Sequence, residues 1–264
     1  KEGLKAYSDY QVTHENDILR PGTAFPLVKA LHKLNTDGRY LTEIIIMSKN
    51  SADTSLRIFN SIKHYNLNIS RAALVGGGFV SPYLNAFHTD LLLSANEIDV
   101  QEAINANVAA GIIYSLPTLP IDPNKDIGQI KIAFDGDAVI FSDEAERIFQ
   151  TEGLKAFVEH EQKNAQNPLP EGPFAKLLKT ISILQEKFPK ESVPIRTALV
   201  TARNAPAHER AIRTLRAWNV RIDEAFFLGG IEKCEVLEAF GAHIFFDAQS
   251  VHTDPASKVV PSAR

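Results

Sequence analysis

Ile-Lys-Ile-Ala-Phe-Asp-Gly-Asp-Ala-Val-Ile-Phe-Ser, residues 130–142, is the stretch whose reading decides the fold. An apolar run that stops abruptly at Asp135-Gly136-Asp137 reads as a buried parallel strand, and open α/β sheets bind ligands beyond the carboxyl ends of such strands. The glycine lets the backbone turn tightly, so the two carboxylates converge on one centre. Repulsion between them at contact distance is on the order of 4 kcal/mol in a partly buried site, so a cation is expected there, and oxygen ligands suit Mg²⁺. The competing reading is an Asp-Gly-Asp surface turn. A surface turn has no use for the second apolar run, 138–141, that follows directly.

Composition bounds the rest. At 264 residues and 44% apolar content the chain can bury one large core or two modest ones. A formal charge of −4 and a pI near 6.1 leave no basic footprint, so nucleic acid is not an expected partner, and an anionic substrate has to be held by local charge or metal. No apolar run approaches the length of a membrane span and no signal peptide opens the sequence, which reads as a soluble, cytoplasmic protein. The lone Cys234 excludes an internal disulfide framework, and the histidines show no close-set ligand pattern, so a zinc site is not expected.

The chain repeats itself. Glu2-Gly3-Leu4-Lys5-Ala6-Tyr7 returns as Glu152-Gly153-Leu154-Lys155-Ala156-Phe157, and Leu19, Gly22, Leu27 and Lys29 return as Leu169, Gly172, Leu177 and Lys179. After a short change of offset, Ser48 aligns with Thr201, Arg57 with Arg210, Asn66 with Asn219, and Gly76-Gly77 with Gly229-Gly230. Each copy reads strand, helix, strand, helix, strand: 43–47, 54–64, 72–75, 81–87 and 91–93 in the first, and 197–200, 207–218, 225–228, 234–240 and 244–246 in the second. Such alternation implies parallel sheets with right-handed crossovers.

The proline-rich stretch 116–123 is the expected boundary, giving a first lobe at 1–115, a linker at 116–128 and a second lobe at 129–264. The counterpart of 133–151 would lie before Lys1, so the first lobe reads as lacking its central strand. The missing initial methionine fits an N-terminally trimmed or processed form. The copies differ where chemistry would sit: the second has Thr201, Lys233 and Asp247 where the first has Ser48, Val80 and Ser94. The first lobe is therefore expected to be structural or regulatory, although its Gly76-Gly77-Gly78 loop could also bind an anion through backbone amides.

Asp135 and Asp137, Thr201, Lys233 and Asp247 follow successive strands, an order that resembles the haloacid dehalogenase superfamily of phosphohydrolases. Residues 134–144, Leu-Val-Thr-Ala-Arg at 199–203 and Ile-Phe-Phe-Asp at 244–247 are similar to the cytosolic 5′-nucleotidase I family over nearly the whole chain. The resemblance implies a haloacid dehalogenase-like Rossmannoid parallel sheet with a small helical cap at about 143–170, preceded by a duplicated, degenerate α/β lobe. It also implies a Mg²⁺-dependent 5′-nucleotidase acting on nucleoside monophosphates such as AMP or IMP through an aspartyl-phosphate. Asp135 would be the nucleophile and Asp137 the acid and later the base, consistent with a sugar alkoxide needing a proton to leave. Thr201 would hydrogen-bond the phosphoryl group and Lys233 would offset its charge. The metal would bridge Asp135, the main-chain oxygen of Asp137 and Asp247.

Rival readings stand beside these. Thr201 alone suits a helix N-cap, and Lys233 alone a solvated charge. Arg203 and Asn204 could touch substrate or cap a helix end. His160, Glu161 and Asn164, at the end of a helical segment expected over 143–162, could contact the nucleotide or form a polar helix end. A sugar-phosphate phosphatase shares the same core chemistry, and a nucleotide-binding pseudoenzyme is the alternative of another class. A homo-oligomer is compatible with the sequence. One departure stands out: the resembling motif has two consecutive aspartates where this chain has Asp247-Ala248. Asp247 would then ligate the metal itself, or Asp254 would reach in, at a magnesium-hungry site.

Overall fold

The computed structural model describes residues 2–35, 38–113, 121–124 and 127–264. The first copy runs α1 (Glu2–Thr13), α2 (Phe25–His32), β1 (Ile45–Ser48), α3 (Leu56–His64), β2 (Arg71–Leu74), α4 (Ser81–Leu84), β3 (Leu91–Ser94), α5 (Glu97–Asn105) and β4 (Ala109–Ile112). Next come β5 (Ile130–Phe134), a π-helical turn (Gly136–Ile140), α6 (Glu144–Lys163) and α7 (Ala175–Gln185). The second copy then runs β6 (Ile195–Thr201), α8 (His208–Ala217), β7 (Glu224–Phe227), α9 (Cys234–Phe240), β8 (Ile244–Phe246), α10 (Ser250–Ala256) and β9 (Ser262–Ala263). The helix expected over 81–87 ends at Leu84 and continues only as turns, which close where His88 takes a φ of 53°.

The protein is an α/β structure with a five-stranded sheet in the order β7-β6-β5-β8-β9, every pair parallel. The stretch 130–134 is its central strand, flanked on both edges, which is why it is apolar apart from Lys131. On one face Ala133, Val200 and Phe245 pack against Leu237 and Phe240 of α9 and Ala256 of α10. On the other, the rings of Phe134, Phe174 and Phe246 lie 4.7–6.2 Å apart, each burial worth about 1.5–3 kcal/mol.

Two compact units divide the chain: Lys1–His88 with Leu119–Ile127, and Thr89–Thr118 with Gly128–Arg264. The elements β3, α5 and β4, which the repeat assigns to the first copy, lie in the second unit. There Ile112 and Arg264 exchange both backbone hydrogen bonds (2.8 and 3.1 Å) and Ile113 bridges Ala263 in antiparallel sense. Residues 116–120 and 125–126 of the expected linker are outside the described residues.

The duplication is written in hydrogen bonds as well as letters. Arg57 Nε donates to the Asp17 carbonyl at 2.8 Å, and Arg210 Nε to that of Asn167 at 2.9 Å. Ser61 Oγ and Thr214 Oγ1 accept from the amides of Leu19 and Leu169, each at 2.9 Å. Strand ladders repeat too, β1-β2 matching β6-β7 and β3-β4 matching β8-β9. Only β5 lacks a counterpart among the described residues.

Two glycines shape the region around the end of β5. Gly153, with φ of 83°, breaks α6 so that its halves fold back on each other. His160 consequently meets Glu144 at 2.9 Å, whereas a straight helix would hold residues that far apart by roughly 24 Å. At Gly172 a Cβ would lie 2.2 Å from the Phe141 carbonyl oxygen and 2.5 Å from that of Val139, so only glycine lets α7 start against the turn after Asp137.

Candidate active site

The carboxyl ends of the central strands assemble a buried cluster. Asp135 follows β5, where its amide donates to the Phe246 carbonyl (2.8 Å), and Asp247 follows β8. Lys233, at the start of α9, lies between them with Nζ 2.8 Å from Asp135 Oδ1 and 2.6 Å from Asp247 Oδ2. His252 of α10 adds Nδ1 at 3.0 Å from Asp247 Oδ2, and the Gln249 amide donates to Asp247 Oδ1 at 2.9 Å. Thr201 closes β6, its hydroxyl buried beside Gly136, where a Cβ would sit 3.2 Å from Oγ1.

One ammonium shared by two buried carboxylates leaves the charge unbalanced. Burial pushes the Asp135 carboxyl up to about 7; Lys233 opposes the rise and the Asp247 and Asp137 charges add to it. Burial alone would lower Lys233, but the two carboxylates outweigh it and raise the ammonium above its usual range. Asp247 is held below the ordinary carboxylate range, the bonds from His252 and Lys233 outweighing its burial. Asp135, Asp247 and His252 offer ligand atoms within 4.8 Å of one another. Two hard carboxylates with one positive charge too few, and an imidazole beside them, fit a divalent cation that keeps water in its shell.

Asp137 bonds a different partner. Arg203 grips it with two bonds, Nε to Oδ2 at 2.9 Å and Nη2 to Oδ1 at 2.6 Å. The same guanidinium bonds Glu161 and the Ala207 carbonyl (3.2 Å), and lies 5.8 and 5.5 Å from the ring centroids of Phe141 and Phe157. Burial alone would lower Arg203, but the Asp137 and Glu161 carboxylates hold it firmly charged. Arg210 Nη1 takes the other Glu161 oxygen at 2.8 Å.

A model of the 5′-nucleotidase family matches residues 1–264. The chain belongs to that family. It is 39% identical to human (Homo sapiens) cytosolic 5′-nucleotidase 1B over 275 aligned residues, covering 98% of this chain and 44% of that protein. It therefore spans less than half the length of the curated relative. No solved structure matches it.

Within this family member the sequence-derived candidates fall into separate groups. Asp135, Lys233 and Asp247 meet directly, while the side chain of Asp137 lies with Arg203. Asn204 is exposed. His160 bonds Glu144 and approaches Arg210 Nη1 (3.4 Å), and Asn164 donates to the His160 carbonyl (2.9 Å). Glu161, read as a nucleotide contact or a polar helix end, is instead 1% exposed and carries both arginines. Asp254 is exposed on α10 and does not reach the cluster; His252, two residues earlier on that helix, does. A cavity of about 570 Å³ opens beside Asp247, bordered by Ala138, Val139, Phe174, Ala248 and Gln249. Among the described residues no helix is long and apolar enough to cross a membrane.

Proposed function

We propose that this chain carries the catalytic core of a Mg²⁺-dependent 5′-nucleotidase that hydrolyses nucleoside 5′-monophosphates, AMP or IMP among them, in the cytoplasm. The observation that carries the reading is the Asp135–Lys233–Asp247 cluster at the carboxyl edge of the parallel sheet. Family membership and the name of the relative support the reaction class. The fold is read as haloacid dehalogenase-like, with α6 and the residues to about 170 as its cap and the first copy as a catalytically silent lobe.

In this reading Asp135 attacks phosphorus as its carboxylate and forms an aspartyl-phosphate while the nucleoside oxygen leaves. Asp137 gives that oxygen a proton, then takes one from the water that cleaves the aspartyl-phosphate. Lys233 balances charge on Asp135 and the transferring group, and Thr201 donates to a phosphoryl oxygen. Asp135, Asp247 and the main-chain oxygen of Asp137 would hold Mg²⁺, with His252 bonded to Asp247 behind them. The metal supplies positive charge that offsets the phosphate. The cavity beside Asp247 is large enough for a nucleoside. Release of phosphate from AMP and IMP, with and without Mg²⁺, tests the reading. Turnover that requires Mg²⁺ and disappears in Asp135→Asn is expected; undiminished turnover in that variant contradicts it.

A further inference from the structure

The charge cluster around Arg203 does more than the duplicated fold requires, and the first copy serves as an internal control. Arg57 keeps the structural bond that Arg210 makes, Nε to a loop carbonyl within its own copy. Yet at the repeat position of Glu161 the first copy has Gln11, and at that of Arg203 it has Asn50, whose Oδ1 accepts from Tyr7. The arginine on α3 therefore holds its loop without a buried acid. Glu161 and Arg203 occur together only in the copy that also carries Asp135 and Asp137.

Glu161 is costly where it sits. A wholly buried carboxylate gives up its hydration, and a buried ion pair is often no more stabilising than apolar side chains of similar volume. Its two oxygens divide between Arg210 and Arg203, and Arg203 in turn presents its other edge to Asp137 in a two-bond fork. Phe141 and Phe157 flank the guanidinium, and Gly153 is what folds the end of α6 back toward this place. Each contact removes a degree of freedom from Arg203.

We propose that Glu161 is a positioning residue for proton delivery: it fixes Arg203, and Arg203 aims the Asp137 carboxylate at the oxygen of the leaving group. Glu161 touches neither substrate nor the reacting atoms. The inference rests on the nucleotidase reading and deepens it, because it ties the helix pair read as the cap to the acid step alone. A role confined to holding α6 against α8 would slow every substrate alike.

The test compares two esters in Glu161→Gln, which keeps the volume and removes the charge. A nucleoside monophosphate leaves as a poor alkoxide and depends on Asp137, whereas p-nitrophenyl phosphate leaves as a phenolate and hardly does. General acid catalysis is worth about 10²–10⁴-fold, and misaiming should forfeit part of it: kcat on AMP should fall roughly 10- to 100-fold while kcat on p-nitrophenyl phosphate and KM for both change less than about threefold. If Glu161→Gln does not fold, the double variant Glu161→Leu/Arg210→Met replaces the pair with packing side chains and should give the same selective loss. Equal losses on both esters, or no loss on AMP, overturns the inference and leaves the nucleotidase reading standing. Failure of the unaltered protein to hydrolyse either ester overturns both.

Discussion

Lys233 is shared between two buried carboxylates, and the shortfall of positive charge governs how the site should respond to pH and metal. Burial pushes the Asp135 carboxyl up to about 7, so metal binding is expected to compete with a proton below that pH. Apparent Mg²⁺ affinity, measured by activity titration, should fall by up to about tenfold per pH unit below 7 and level off above it. A flat profile from pH 5.5 to about 8 would set aside Asp135 as a ligand. Ala248 is exposed at the edge of the same cavity. Ala248→Asp is expected to lower the Mg²⁺ requirement; if neither requirement nor rate moves, the second acid of the family pattern has no part in metal binding here. Thr201→Ala should cost roughly a hundredfold in kcat, the usual effect of losing a preorganised donor, against little change for Ser48→Ala at the equivalent point of the first copy. Asp135, Thr201 and Asp247 were legible because each ends or directly follows an apolar strand, and Lys233 because it opens the helix after another. His252, Arg210 and the buried pairing of Glu161 were not, because they meet through helices whose docking no local period records.

At the scale of elements, the strands declared themselves most plainly. The stretch 130–134 reads as central because only Lys131 interrupts its apolar residues, and 244–246 because it is apolar throughout. Helix α6 was legible as a helix but not as a hairpin: nothing in its periodicity says that Gly153 takes a φ of 83°. Gly153→Ala forces a side chain into that conformation, a strain on the order of 1 kcal/mol, and favours one straight helix. It should lower the melting temperature by a few degrees and reduce AMP hydrolysis by separating Glu161 from Arg203; unchanged activity would mean that the fold-back is dispensable. Strand β1 offers a second element-level check. Among the described residues it pairs only with β2, while its repeat equivalent β6 is paired on both sides. Amides of 45–48 should therefore lose hydrogen-exchange protection well before those of 195–201, as opening free energies differ between edge and central strands.

For the molecule as a whole, duplication explains the architecture. The same framework is built twice, down to matching bonds at Arg57 and Arg210, but the second copy has Lys233 and Asp247 where the first has Val80 and Ser94. That asymmetry was visible in sequence as substitutions at strand ends. The allocation of β3, α5 and β4 to the unit containing the second copy was not, since it depends on backbone bonds at Ile112 and Arg264 rather than on side-chain pattern. The central claim is that phosphate passes through a covalent bond to Asp135. The direct measurement is to quench the protein during turnover of AMP with Mg²⁺, reduce with borohydride, and locate the modified residue by peptide mass spectrometry. Conversion of Asp135 to homoserine, absent without substrate, is the predicted result; turnover with unmodified Asp135, or with the label on another residue, would contradict the account.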